Sequence, residues 1–95
     1  MGIQKFYARP GDTHEFDNGA IGHRSEHLGP FAKVENCPIE GTDRRVTCYA
    51  SDYPDTFFSV PARCRGRNGK TVRGFFTMDG AGVVFVPYNN ERSKI

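Results

Sequence analysis

Thr56 to Tyr88 reads TFFSVPARCRGRNGKTVRGFFTMDGAGVVFVPY, and this stretch decides the fold. Its runs are rich in Val, Phe and Thr and are broken by two glycine-containing turns, which predicts three consecutive antiparallel strands. Between Gly66 and Lys70 lie Arg67, Asn68 and Gly69. A three-residue loop closing on glycine is a type I turn plus bulge, because its last position needs positive φ. With that loop Cys64 faces Val72, Ala62 faces Gly74, Val60 faces Phe76 and Phe58 faces Met78. One face is then apolar or small throughout. A two-residue Asn-Gly turn would put Arg63 and Arg65 on the face of Val72 and Phe76, which a buried face does not tolerate. The three-residue register makes Gly69→Ala cost about 1 kcal/mol and Gly66→Ala less. The second turn, Asp79-Gly80-Ala81-Gly82, fits a two-residue II′ turn with Gly80 first. It pairs Met78 with Val83 and Phe76 with Phe85.

The other face of the same strands is unusual. Arg63 falls opposite Arg73, with Arg65 and Lys70 near the tip, and like charges directly opposite on a sheet are destabilising. Farther along, Phe75 lies beside Val84 and Val86. Strand 83–88 is therefore apolar on both sides and calls for a cover: the N-terminal half, a second subunit or a ligand.

Outward from this core the signals weaken. Residues 31–40 (FAKVENCPIE) and 44–50 (RRVTCYA) suggest a second hairpin across Gly41-Thr42-Asp43. Pro38 marks its first arm as an edge or bulged strand. One register pairs Ile39 with Val46 and Cys37 with Cys48, near enough for a disulfide; another shifts by one. Residues 51–55 (SDYPD) read as a turn. Residues 3–8 (IQKFYA) read as a short strand ended by Pro10-Gly11-Asp12. Residues 11–30 read as an irregular loop region, with Asn18-Gly19 a turn between poorly strand-like flanks and one helical turn at 25–28. Residues 89–95 (NNERSKI) read as a polar, fraying tail.

At 95 residues the chain is one domain, 1–95, able to bury roughly 60–65% of its unfolded surface. One leucine stands against seven Val, eight Phe and four Tyr, with eleven Gly and six Pro. That balance favours short strands and turns. The fold class expected is all-β, or β-rich α+β: a small antiparallel barrel or twisted open sheet of five to six short strands with a C-terminal three-stranded meander. The layout resembles SH3-like or OB-like barrels in shape, a likeness that carries no function.

Charge is unevenly placed. Residues 1–56 hold six Lys/Arg and nine Asp/Glu, residues 63–73 hold five Lys/Arg and no acid, and residues 74–95 balance. The net charge of +2 thus gathers on one hairpin. Nothing approaches the ~20 apolar residues of a membrane span. The start MGIQKFYARPGD has no apolar leader, so a cytoplasmic protein with reduced thiols is expected.

Three constellations bear on function. Arg63, Arg65, Arg67, Lys70 and Arg73 form a backbone-phosphate surface, with Phe57 and Phe75 along the same face to stack on bases. The bland alternative is a solvated hairpin tip whose charges discourage aggregation or meet an acidic neighbour. His14, His23 and His27 lie in the irregular region, but the cysteines are 11 and 16 residues apart and no Cys-x-x-Cys exists. No metal and no cofactor are therefore expected. Cys64 faces the core, and no signature of a nucleophilic thiol surrounds any cysteine. The function expected is a small non-catalytic binding module that forms a homo-oligomer and takes nucleic acid or another polyanion on its basic hairpin. The runner-up is an accessory protein docking a partner through strand 83–88, and the third reading is a small metal-dependent or Cys/His enzyme using the His-rich loop.

Overall fold

The computed structural model describes residues 11–24, 32–51, 60–80 and 82–95. Seven strands run through them: β1 (Thr13–Glu15), β2 (Ile21–His23), β3 (Lys33–Pro38), β4 (Arg45–Ala50), β5 (Val60–Arg65), β6 (Thr71–Asp79) and β7 (Gly82–Pro87). Each pairs antiparallel with the next, giving one open, all-β sheet in chain order. The count is seven, against five to six expected.

The sheet curls until its late part meets its early part. Ile39 bridges Phe85, and the Glu40 N–H donates to the Phe85 carbonyl at 2.9 Å. Asn18 Nδ2 donates to the Val83 carbonyl, also at 2.9 Å. The concave face so enclosed carries the core, with Val34, Cys48, Val60, Val72, Phe76, Val83 and Phe85 all buried. Among the described residues no helix is long and apolar enough to cross a membrane.

The central meander adopts the register that its alternation dictates. Val60 pairs with Phe76, Ala62 with Gly74 and Cys64 with Val72, while Phe76 pairs with Phe85 and Met78 with Val83. Phe58 lies outside the described residues. The 66–70 turn is the three-residue loop, with Gly66 N–H to Lys70 O at 2.7 Å, Gly69 N–H to Gly66 O at 3.1 Å and Gly69 at φ +80°. Gly80 also takes positive φ, +64°.

Three expectations are corrected. Within 11–30, residues 13–23 are a regular hairpin, β1–β2. Its turn repeats the 66–70 geometry, with Phe16 N–H to Ala20 O at 2.8 Å, Gly19 N–H to Phe16 O at 2.9 Å and Gly19 at φ +90°. The flanks look unlike strands because each has only three residues and the apolar residues buried in the core, Phe16 and Ala20, sit in the turn.

The β3–β4 register is also different. Cys37 faces Val46 and Val34 faces Cys48, with a bulge between Val34 and Cys37. Asn36 takes φ +53° there, a left-handed conformation that asparagine tolerates better than most residues. The extra residue shifts the ladder, so Cys37 and Cys48 are not opposite each other. All three cysteines are free and buried. The strand is bulged, as Pro38 implies, but it is not an edge.

The polar tail does not fray. Asn89–Lys94 forms a 3-10 helix with Glu91 buried at its centre. A regular ladder would offer the Tyr88 carbonyl to the Arg73 N–H. That carbonyl instead accepts the Glu91 N–H at 2.9 Å, and the Glu91 carboxylate takes the Arg73 N–H at 2.9 Å. Lys94 Nζ completes the site at 3.0 Å from the second carboxylate oxygen. The expected strand at 3–8, the helical turn at 25–28 and most of the 51–55 turn lie outside the described residues.

Candidate nucleic-acid interface

Strand pairing draws one row of side chains across the convex face. His23 pairs with Lys33, Lys33 with Tyr49, Tyr49 with Arg63 and Arg63 with Arg73. Tyr88 extends the row, its N–H donating to the Arg73 carbonyl at 3.1 Å. Residues directly opposite across a sheet share a face, so two tyrosines bracket two arginines. Tyr49 is 44% exposed and Tyr88 45%, and among the described residues they are the exposed large hydrophobic side chains.

Each member is positioned by its neighbours. Arg63 Nη1 donates to the Ala50 carbonyl at 3.0 Å and lies within reach of Ser51 Oγ. Its guanidinium sits 5.6 Å from the Tyr49 ring centre, a cation–π distance. Arg73 is exposed, with a guanidinium nitrogen 3.8 Å from Glu91 Oε2. Arg65 Nη1 donates to the Gly69 carbonyl at 3.0 Å and stiffens the hairpin end. Arg67 and Lys70 are exposed at the tip, engaged by no acid among the described residues.

The arginine pair is thus less exposed to self-repulsion than the sequence suggests. Arg63 and Arg73 do face each other, but a backbone carbonyl holds one and Glu91 the other. Removing both removes these anchors too, so their replacement is not expected to stabilise the fold.

Phe75 is half-buried, its ring 5.9 Å from that of Tyr88 and tilted by 36°. It braces Tyr88 rather than standing free to stack. Phe57 lies outside the described residues. Val84 and Val86, on the outer side of β7, are likewise half-buried within the chain.

Beside Tyr49 the sheet splits. β4 and β5 pair only at Tyr49–Arg63 and Ala50–Ala62. Beyond them opens a cleft of about 320 Å³ lined by Tyr49, Arg63, Cys64, Arg65 and Thr71. Hydrogen bonding to Cys37, then to Cys64, together with burial pushes the Cys48 thiol far up. The hydrogen bond from Cys48 holds the Cys64 thiol below its ordinary value, against burial.

The two histidines among the described residues, His14 and His23, lie on opposite faces of the β1–β2 hairpin. His14 packs edge-on against Phe16, at 4.7 Å and 88°. His23 pairs with Glu35 on the convex side, and His27 lies outside the described residues. Among the described residues no group of three His, Cys, Asp or Glu side chains is placed to hold a metal ion.

No family model, curated protein or solved structure matches this chain.

Charge and local register in the sequence single out Arg63, Arg65, Arg67, Lys70, Arg73 and Phe75 as candidates; strand pairing places Lys33, Tyr49 and Tyr88 in the same row, which the sequence reading did not name. Tyr49 enters the row only through the β4–β5 pairing across a connection of unpredictable length. Tyr88 enters by following the β6–β7 ladder one pair past the strand's end, a step the sequence does permit.

Proposed function

We propose that this protein is a non-catalytic binding module whose convex sheet face takes up nucleic acid. The observation that carries the reading is the cross-strand row Lys33–Tyr49–Arg63–Arg73–Tyr88. It combines fixed guanidinium groups for phosphate with exposed rings for bases. The tip residues Arg67 and Lys70 extend the positive field beyond it. The three free thiols accord with the cytoplasmic location expected for the chain.

The test is fluorescence anisotropy of labelled oligonucleotides across a salt series. Affinity is expected to fall steeply with salt, since phosphate contacts release counterions. Arg67→Ser with Lys70→Ser should weaken binding to all sequences about equally and flatten the salt slope by roughly two units, one per contact. Thermal stability should stay level, because neither side chain holds the fold. No affinity for DNA or RNA at low salt removes the proposal, and salt-independent capture of a partner protein would favour apolar docking on the outer side of β7 instead.

A further inference from the structure

The row has an order as well as a charge: ring, guanidinium, guanidinium, ring, on four successive strand positions. Adjacent strands lie about 4.8 Å apart, so Tyr49 and Tyr88 stand roughly 14 Å apart. Each ring is backed from one side, Tyr49 by the Arg63 guanidinium and Tyr88 by Phe75. Each still gives nearly half its area to solvent. A ring held this way offers a π-face. In a duplex the base faces are stacked on one another and unavailable, whereas a single strand can splay its bases onto aromatic side chains.

We infer that the ligand is single-stranded nucleic acid, with one base on Tyr49 at the mouth of the β4–β5 cleft, another on Tyr88, and the intervening phosphates on Arg63 and Arg73. This rests on the nucleic-acid reading above. Arg65 and Thr71, which line the cleft, offer donors to the nucleotide at Tyr49. A gap of roughly 14 Å spans about four steps of 3.4 Å, and fewer when the strand is drawn out. The site is therefore short and indifferent to sequence, because every base has a π-face.

The chain has no Trp and four Tyr, so its own fluorescence reports on the rings. Oligo(dT), a duplex of equal length and heparin are titrated against the full chain. Oligo(dT) should bind at least tenfold tighter than the duplex and quench tyrosine emission, while heparin binds without quenching. Tyr49→Leu and Tyr88→Leu should each lower oligo(dT) affinity about tenfold or more with an unchanged salt slope. Tyr49→Phe and Tyr88→Phe should restore it, which separates stacking from a folding defect. Equal binding of duplex and single strand, with inert Leu variants, overturns this inference and leaves polyanion binding standing. Absence of binding to all three removes both.

Discussion

Two turns in this molecule share one backbone and have opposite fates. Phe16–Ala20 and Gly66–Lys70 are both three-residue loops closing on Asn-Gly, with the same pair of hydrogen bonds and glycine φ of +90° and +80°. Asn18 Oδ1 accepts the Ala20 N–H at 3.1 Å, and Asn68 Oδ1 accepts the Lys70 N–H at 3.4 Å. The first turn is bounded by Phe16 and Ala20, both buried in the core. It folds inward onto the start of β7. The second carries Arg67 and Lys70 and stands in solvent. Local code sets the shape of a turn; the flanking residues decide whether it becomes core or surface.

The largest expected effect breaks the symmetry from the side of the exposed turn. Its first residue, Gly66, is buried against the C-terminal helix, and a Cβ there would meet the Lys94 carbonyl oxygen at 1.9 Å. Gly66→Ala must push the helix away and should cost about 2 kcal/mol, as for overpacking. Gly69 has open space around it but φ +80°, so Gly69→Ala should cost about 1 kcal/mol. Chemical denaturation of the two variants checks the order. This reverses the ranking drawn from the turn alone, because the contact on Gly66 comes from the other end of the chain.

That reversal marks where the sequence stops being legible. Alternation and turn chemistry suffice for β5, β6 and β7, since each partner is reached across two or three residues. The β3–β4 ladder is not legible, because the left-handed step at Asn36 adds a residue that no pattern announces. Glu91 is not legible either, for its partner is a strand amide 18 residues away. The candidate site divides the same way. The opposed Arg63 and Arg73 follow from one hairpin, whereas Tyr49 needs the pairing of β4 with β5.

The next effect sharpens the comparison at the asparagines. Asn18 makes a second hydrogen bond, to the Val83 carbonyl, while Asn68 is exposed and its one bond is long. Asn18→Ala strands a partly buried carbonyl and should cost roughly 1–2 kcal/mol. Asn68→Ala should stay within about 0.5 kcal/mol, as surface changes do. Equal losses, measured by thermal melts, would mean that the turn bond alone sets the energy and that docking onto β7 adds nothing.

The smallest effect is local and depends on pH. The exposed turn leans on the C-terminal helix, and that helix is held by Glu91. The Arg73 N–H, the Lys94 ammonium and the Arg73 guanidinium all favour the carboxylate and hold its pKa below the ordinary 4.5. A depressed folded-state value contributes stability that is fully present above the unfolded pKa and is lost as pH falls through the folded one. Glu91→Gln keeps the shape of the side chain and removes the charge. The melting temperatures of wild type and variant should therefore differ fully near neutral pH and converge only in acid, as the pH falls through the lowered pKa of Glu91. The same pH change should release the 66–70 turn, whose first residue rests on Lys94, before the 16–20 turn, which rests on β7. Loss of the Arg73 and Gly66 amide signals ahead of the Ala20 signal in an NMR acid titration would display that order. A constant gap between wild type and variant down to strong acid would mean that Glu91 acts by packing, and the dependence of the exposed turn on its charge would fail.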